Sequence, residues 1–222
     1  MTDYTGQHPK GPDPSTLDGA TQGRKSLSPT TSQLPGLKIR LQKALRQFPD
    51  FPSPGILFED ILPIFQDPAL HETFIHALEL HIIENYGQDD KPDVIAGLEA
   101  RGFLFGPSLA LRLGAGFVPI RKRGKLPGPT EIAAFEKEYG ADHFEIQSDA
   151  IKKGQKVLVV DDIIATGGSA AAAGQLVQKL GGRLLGFVMI LELDFLHGRD
   201  KLHAPCYTLL SSQSASVASE PS

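Results

Sequence analysis

The sequence predicts an α/β fold in which a central, mostly parallel sheet is flanked by helices. Two stretches carry this prediction, because each contains an apolar run, a helical stretch and a second apolar run in that order. The first spans residues 94–120 and the second spans residues 157–191. Repeated strand–helix–strand units form parallel sheets with right-handed crossovers. Ligands of such sheets bind at the carboxyl ends of the strands, where the loops lie.

Upstream of these units, the pattern favours two helices joined by a turn. Apolar residues share one helical face over residues 37–48, and Pro49 ends the pattern. The proline- and glycine-rich residues 52–55 predict a turn, and a second helix is predicted over residues 69–85. The histidines of this helix recur every fifth residue, about 140° apart, and therefore do not converge on a metal ion.

The two units define the central sheet and its crossover helices. Short apolar runs without polar interruption are typical of strands buried on both faces. Helical spacing and small residues favour the helices between them. In chain order, the predicted elements are a strand at 94–96, a helix at 103–113, a strand at 117–120, a strand at 157–160, a helix at 169–180 and a strand at 184–191.

Residues 127–147, which separate the two units, lack a core periodicity until Phe144 and Ile146. Small and charged residues dominate the earlier part of this stretch. Taken alone, the pattern predicts an exposed hairpin or a mobile loop, which is also the pattern of a lid over an active site.

Composition places the chain among ordinary globular proteins, with 41% hydrophobic and 22% charged residues. The net charge of -4 argues against a general nucleic-acid surface. No run approaches the roughly 18 apolar residues of a membrane span, and no apolar stretch of signal-peptide type opens the chain. Cys206 is the only cysteine, which excludes an intrachain disulfide and a cysteine zinc site. We therefore expect a cytoplasmic protein that binds neither nucleic acid nor membranes.

One folded domain with two disordered ends is the predicted organisation. Residues 1–36 are dominated by Gly, Pro, Ser and Thr and show no apolar period. Such a segment buries too little surface to offset the entropy lost on ordering. Residues 211–222 have a similar composition. The folded domain is expected to span residues 37–210.

The most informative stretch is residues 159–169, where an apolar strand ends in Asp161 and Asp162. Glycines let backbone N–H groups approach an anion, hydroxyls donate further bonds, and a helix N-terminus favours negative charge. A phosphate-binding turn is therefore predicted. An ordinary turn capped by Ser169 would explain the serine and glycines but not the two acids. The residues of the turn are Ala165, Thr166, Gly167, Gly168 and Ser169.

This stretch resembles the phosphoribosyl-pyrophosphate motif of type I phosphoribosyltransferases. The resemblance implies the type I phosphoribosyltransferase fold, with a small N-terminal hood beside the sheet. It implies that residues 166–169 hold the 5′-phosphate, and that Asp161 and Asp162 engage the ribose hydroxyls directly or through Mg²⁺-bound water. No side chain is expected to ligate the Mg²⁺ itself.

A donor of this kind brings about five negative charges and needs countercharge in its site. Arg101 follows the strand at residues 94–96 at the correct end of the sheet, where it could clamp pyrophosphate oxygens. A basic run follows the next strand and consists of Arg121, Lys122, Arg123 and Lys125. The alternative for Arg101 is a surface arginine without a ligand. The alternative for the basic run is solvated surface, which is the expectation for Arg123.

Residues 97–107 resemble the pyrophosphate-binding loop of adenine phosphoribosyltransferases. The resemblance implies that Glu99, Ala100 and Arg101 contact the pyrophosphate, and that the peptide bond between Glu99 and Ala100 is cis. Some family members carry Ser where this chain has Ala100, so only a backbone contact is carried over there.

Residues 121–128 also resemble the adenine branch of the family. The resemblance implies that Lys122 and Lys125 supply charge for pyrophosphate. It further implies that Arg121 reaches the site of a neighbouring subunit, and hence that the protein is a homodimer.

Two further segments resemble the parts of this family that handle the base. In the closing loop, Glu138 would handle a base proton and Tyr139 would pack over the reacting groups; without the family, a solvated acid explains Glu138 equally well. In the hood, residues 51–61, Leu57 would offer backbone groups to adenine, and Phe58 and Leu193 would form apolar walls. Many members carry Arg where this chain has Glu59.

The resemblance covers residues 37–210 and implies a purine-salvage reaction with Mg²⁺. Adenine and 5-phosphoribosyl 1-pyrophosphate would give AMP and pyrophosphate. Arg199 is expected to close a turn rather than to contact substrate. Two alternatives stay open: a phosphoribosyltransferase for another purine, such as xanthine or hypoxanthine, and a non-catalytic regulator that retains the fold.

Overall fold

The computed structural model describes residues 33–51, 54–55, 57–87, 90–136 and 141–210, which all belong to one contact unit. Its helices and strands lie in the order that the sequence predicts for the two strand–helix–strand units. The elements are α1 (Gln33–Ala44), β1 (Arg46–Pro49), β2 (Leu57–Asp60), α2 (Leu62–Gln66), α3 (Pro68–Tyr86), β3 (Val94–Leu98), α4 (Gly106–Leu113), β4 (Gly116–Lys122), β5 (Thr130–Glu136), β6 (Ala141–Gln147), β7 (Lys156–Ile164), α5 (Gly168–Lys179), β8 (Arg183–Glu192) and β9 (Cys206–Thr208).

The main sheet has the strand order β5-β6-β4-β3-β7-β8-β9. Strands β4, β3, β7, β8 and β9 are parallel, whereas β6 and β5 form an antiparallel hairpin at the edge next to β4. The prediction of a mostly parallel sheet is therefore confirmed. The functional residues expected at strand ends lie along the carboxyl edge of β4, β3 and β7.

Alternate residues of the buried central strands contribute to two hydrophobic clusters. Ile95 and Leu158 join the cluster that includes α1, α3 and α4, whereas Ala96 and Val159 join the cluster that includes α5. Since side chains alternate between the faces of a strand, helices cover the sheet on both faces. The sheet is thereby held rigidly under its carboxyl edge.

The predicted first helix is wrong in its bounds. Helix α1 begins at Gln33, before the expected start of the domain at Leu37, and ends at Ala44. Residues 46–49 instead form β1, which pairs with β2 in an antiparallel hairpin. Contacts between the two strands stabilise the hairpin over a longer helix. Arg46 Nη2 lies 2.6 Å from Asp60 Oδ2, and Phe48 pairs with Phe58 across the strands.

The predicted helix at 103–113 is shorter in the structure. A 3-10 helix, Arg101–Leu104, precedes α4. The backbone of Gly102 packs directly on β7, since a Cβ at this position would lie 2.7 Å from the carbonyl oxygen of Val160. This contact fixes the loop that carries Arg101 against the central strand.

The sequence predicted either an exposed hairpin or a mobile loop between the two units. The structure has a hairpin there, formed by β5 and β6. It is partly buried, with Phe135 stacked on Phe144 at 4.7 Å between ring centroids. Residues 137–140, which include the expected lid residues Glu138 and Tyr139, lie outside the described part of the chain. None of the described helices has the length and hydropathy required to cross a membrane.

Candidate active site

The carboxyl ends of β3, β4 and β7 enclose a cleft of about 300 Å³. It collects the sequence-predicted phosphate turn, both acids, Arg101 and Lys122 in one place. Its lining consists of Glu99, Arg101, Lys122, Phe135, Phe144, Asp161, Asp162, Ile163, Ile164, Ala165, Thr166, Gly167, Gly168, Ser169, Ala170 and Met189.

The phosphate turn, residues 165–169, joins the end of β7 to the first residues of α5. Gly167 has a φ of 77°, a left-handed conformation that favours glycine, and its carbonyl oxygen accepts the first α5 hydrogen bond from the Ala171 N–H at 2.9 Å. The N-terminal N–H groups of the 12-residue helix α5 have no helical acceptor and carry partial positive charge. The turn is therefore suited to a phosphate dianion.

The two acids differ in their partners. Asp162 is buried and its Oδ2 atom lies 2.7 Å from Arg101 Nε. Asp161 is half-buried, and its Oδ1 atom accepts the Asp162 backbone N–H at 2.9 Å. Burial and the neighbouring charge of Asp162 raise the pKa of Asp161 well above its ordinary value. Such a carboxyl group is suited to exchanging hydrogen bonds with sugar hydroxyls.

The loop after β3 contains the expected cis peptide bond between Glu99 and Ala100. Glu99 has intramolecular partners: Arg121 Nη2 donates to its Oε1 at 3.0 Å, and the Lys122 backbone N–H donates to its Oε2 at 3.1 Å. The hydrogen bond from Arg121 lowers the pKa of Glu99 although burial opposes it. Glu99 therefore orients the basic run after β4.

The basic run presents its side chains differently along the chain. Lys122, Arg123 and Lys125 are all exposed, and Lys122 is the one of the three that lines the cleft. Arg121 is held by Glu99 and also donates from Nη1 to the Lys125 carbonyl oxygen at 3.1 Å. Its expected reach into a neighbouring subunit stays a prediction.

A buried acid that the sequence argument missed supports this basic run. Glu145, which is 3% exposed, accepts the backbone N–H groups of Lys125 and Leu126, each at 2.8 Å. Burial raises the pKa of Glu145, but hydrogen bonds from the backbone N–H groups of Gly124, Leu126 and Lys125 and from the Thr130 hydroxyl outweigh burial and leave the pKa lowered. The available sequence signal was a single acid between the apolar residues Phe144 and Ile146.

A second cavity, of about 490 Å³, lies under the hairpin of β1 and β2. We call residues 46–61, which comprise this hairpin and the predicted hood segment at residues 51–61, the hood. Arg101 and Asp162 line both this cavity and the first cleft, which we call the phosphate cleft, so their ion pair borders both cavities. The lining consists of Phe48, Phe51, Phe58, Glu59, Asp60, Ile61, Leu62, Arg101 and Asp162.

The hood brings together some of the predicted base-binding residues. Phe58 lines its cavity and contacts Phe51 edge-on, with 5.0 Å between ring centroids. Leu57 and Leu193 are both half-buried. Neither is among the described residues that line the two cavities. Leu193 instead donates its N–H to the Ile164 carbonyl oxygen at 2.9 Å. Pro52, Ser53 and Ile56 of the hood lie outside the described residues.

Comparison with known proteins decides the family. The phosphoribosyl transferase domain family matches residues 70–221. A protein of Yarrowia lipolytica named adenine phosphoribosyltransferase is 67% identical over 177 residues, which cover 80% of this chain and 97% of that protein. The chain belongs to the adenine phosphoribosyltransferase family.

Two solved adenine phosphoribosyltransferases carry ligands. The Saccharomyces cerevisiae enzyme, complexed with an imino-altritol bisphosphate and adenine, is 58% identical with a TM-score of 0.77, covering 79% of this chain and 99% of that one. The Trypanosoma brucei enzyme, in complex with AMP, pyrophosphate and ribose-5-phosphate, is 27% identical with a TM-score of 0.69, covering 79% of each chain. The resemblance to this family and its fold is thereby confirmed.

Proposed function

We propose that this protein transfers the 5-phosphoribosyl group from 5-phosphoribosyl 1-pyrophosphate to adenine, giving AMP and pyrophosphate in purine salvage. One observation carries the proposal: a phosphate cleft and an aromatic cavity meet at the Arg101–Asp162 ion pair. A bound donor would place its 5′-phosphate in the phosphate cleft, and the purine would lie in the aromatic cavity. The reacting ribose carbon would then lie between the two. The family relatives and their ligands support the same reaction.

The phosphate turn and the two acids would bind the donor's ribose phosphate. Backbone N–H groups and hydroxyls of residues 166–169 would donate to the 5′-phosphate. Asp161 and Asp162 would accept hydrogen bonds from the ribose hydroxyls. The burial of Asp162 and its pairing with Arg101 keep these groups in place before the donor arrives, which reduces the entropy lost on binding.

The pyrophosphate would bind between the two basic loops. Arg101 presents a guanidinium group, and Lys122 presents an ammonium group, to the same cleft. Lys125, Ala100 and Glu99 complete this part of the site, with Glu99 acting on the cations and Ala100 through its backbone. These charges stabilise the leaving pyrophosphate as the ribose carbon becomes oxocarbenium-like.

The carboxylates fit a Mg²⁺ ion that is held mainly by donor oxygens and water. Mg²⁺ keeps several waters in its coordination shell, and Asp161 and Asp162 at the cleft would accept hydrogen bonds from those waters. When bound, the ion would neutralise donor charge as a Lewis acid. The described residues contain no group of three or more His, Cys, Asp or Glu side chains that could hold a metal alone.

The base would bind under the hood, against Phe58, with backbone groups of Leu57 at its polar edge and Leu193 as a further apolar wall. Backbone donors and acceptors reject a 6-oxopurine strongly, because a mismatched group leaves buried polar atoms unpaired. In the closing loop, Glu138 would handle the proton at the base nitrogen and Tyr139 would cover the reacting groups.

The direct test is AMP synthesis by the purified protein with Mg²⁺ and the donor. Adenine, guanine, hypoxanthine and xanthine are compared at equal concentration, with product identified by chromatography. We expect AMP from adenine to dominate. No AMP above background would overturn the proposal, and a dominant 6-oxopurine product would reassign the substrate.

Three remaining expectations are part of the proposal. The catalytic domain is proposed to span residues 37–210, as the sequence predicts, although helix α1 begins at Gln33, within the segment that the sequence assigned to the N-terminal extension. A homodimer is proposed from the family resemblance, Leu104 and Leu111 are exposed apolar side chains that a subunit interface would cover, and sedimentation velocity would measure the oligomeric state. A cytoplasmic location would be checked by imaging a fluorescent fusion.

A further inference from the structure

The phosphate turn rests on a second turn that follows β8. We call this segment, residues 197–202, the supporting turn. A Cβ built on Gly167 would overlap the Gly198 carbonyl oxygen, and a Cβ built on Gly198 would overlap the Ala165 carbonyl oxygen. The two backbones are therefore packed together with no side chain between them. Any displacement of the supporting turn changes the position of the phosphate turn.

Arg199 anchors the supporting turn to the sheet. Its Nε atom lies 2.6 Å from Oε1 and 2.7 Å from Oε2 of Glu192, at the end of β8. Its Nη2 group also donates to Glu192 and to the Thr208 hydroxyl, and its Nη1 group donates to the Cys206 carbonyl oxygen, both on β9. One side chain thus joins the supporting turn to two adjacent strands.

Glu192 makes this anchor rigid. It is 7% exposed and accepts the Thr208 hydroxyl at 3.0 Å in addition to the Arg199 guanidinium. The hydrogen bonds from Arg199 lower the pKa of Glu192 against the effect of burial. A planar guanidinium that binds a buried carboxylate at several points fixes direction as well as distance, which an ammonium group cannot do.

We propose that Arg199 is a positioning residue for donor binding, acting through the backbone contact between Gly198 and the phosphate turn. The sequence had suggested only that Arg199 closes a turn. The geometry adds that this turn supports the anion site from behind, so the guanidinium acts on the 5′-phosphate without contacting it. This inference rests on the proposed function.

The test compares Arg199→Met with Arg199→Lys and with the control Arg183→Met. Arg183 lies on β8 at the end opposite Glu192, and 63% of its side chain is exposed. Its ion pair with Asp90 is long, at 3.7 Å. Steady-state KM is measured for the donor and for adenine, and the affinity for ribose 5-phosphate is measured by calorimetry. Because KM does not depend on the fraction of folded enzyme, a merely structural role leaves it unchanged.

We expect Arg199→Met to raise the donor KM and weaken ribose 5-phosphate binding by about tenfold or more, since misplacing a positioning group by about 1 Å can cost about 100-fold. The adenine KM should change by less than about threefold. Arg199→Lys should fall between Met and the wild type, and Arg183→Met should match the wild type.

A folded Arg199→Met protein whose donor KM and ribose 5-phosphate affinity stay within about twofold of the wild type overturns the inference. Should that variant fail to fold, Arg199→Lys and Gly198→Ala decide by the same two measurements. A wild-type protein that makes no AMP sinks the proposed function instead, and the ribose 5-phosphate affinities still test the anchor.

Discussion

The phosphate cleft and the hood differ in how far each is built into the central sheet. The cleft grows from β7, whose residues Val157–Val160 are all buried, and its turn is backed by further backbone. The hood is a two-stranded hairpin whose β1 is exposed at every position. Its two strands are joined by the ion pair between Arg46 and the buried Asp60. An isolated hairpin of this kind is marginally stable without packing partners.

Under the proposed function, this difference would divide the two substrates between a rigid site and an adaptable site. The cleft offers a fixed array of backbone donors for a phosphate, so small displacements there should be costly. The hood offers apolar walls for a flat base, so a lost contact there should weaken one substrate without disabling the enzyme.

The largest effect is expected from Gly167→Ala. A side chain at this position would both adopt a φ of 77° and overlap the Gly198 carbonyl oxygen, which forces the phosphate turn to move. We expect kcat/KM for the donor to fall by about 100-fold or more, because positioning errors of about 1 Å have costs of that order. Steady-state kinetics of AMP synthesis measure the loss.

Gly154→Ala is the matched control, since Gly154 has a φ of 84° and no atom within 4 Å of its would-be Cβ. Both variants carry the left-handed penalty of about 1 kcal/mol, but only one also carries the clash. Equal activities for the two variants would show that the turn is not a rigid cradle.

The next effect is expected from Asp161→Asn, which keeps an oxygen for the Asp162 N–H but removes the charge. Donor kcat/KM should fall by about 30-fold, since a hydrogen bond to a charged group contributes about 2 kcal/mol. The ligand-free protein should nevertheless become more stable at any pH where Asp161 is ionised, because burial disfavours the charged carboxylate. Activity and chemical denaturation of the same preparations measure both changes.

The sign of the pH dependence follows from the raised pKa of Asp161. Between the ordinary value of about 4 and the raised value, the folded protein binds more protons than the unfolded chain, so its contribution to stability falls as pH rises through that window. Asp161→Asn should lack this decline. If the two proteins instead lose stability in parallel with rising pH, Asp161 is not the group whose raised pKa causes the decline.

Much of the sheet and of the cleft could be predicted because their determinants are local in sequence. Buried parallel strands appear as unbroken apolar runs, and the phosphate turn follows β7 directly, so Asp161 to Ser169 needed no long-range information. Glu145 and the Gly198 contact could not be predicted. Each depends on segments that are distant in the chain and meet only after the sheet has formed.

The hood was the least predictable region for a physical reason. Leu37, Leu41 and Leu45 share a helical face that extends in period to Phe48, so the pattern alone favoured one long helix. Cross-strand pairing with residues 57–60 ended that helix early. Hairpin pairing depends on the partner strand, and helical periodicity contains no record of it.

A smaller effect, confined to one substrate, is expected from Phe58→Ala in the hood. Removing this ring opens the wall of the cavity and its edge-on contact with Phe51. We expect the adenine KM to rise by about tenfold, since a partly buried aromatic side chain contributes about 1.5 kcal/mol. The donor KM should stay within about twofold.

Ile39→Ala is the control for Phe58→Ala, because Ile39 is 57% exposed on α1 and lines neither cavity. Its kinetics should match those of the wild type. If Phe58→Ala raises the donor KM as strongly as the adenine KM, the hood is not an independent base site and the contrast with the cleft fails.

The smallest effect is expected from Glu59→Gln, at the position where many family members carry Arg. Glu59 Oε1 accepts an exposed hydrogen bond from Gln47 Nε2 at 3.1 Å across the hood hairpin. A glutamine can still accept this bond, and an exposed pair contributes well below about 1 kcal/mol. Both KM values and the melting temperature should therefore stay within about twofold and about 2 °C of the wild type. A tenfold rise in the adenine KM alone would mean that the Glu59 carboxylate contacts the base, so that the hood would recognise adenine by a side-chain charge rather than by backbone groups and apolar walls.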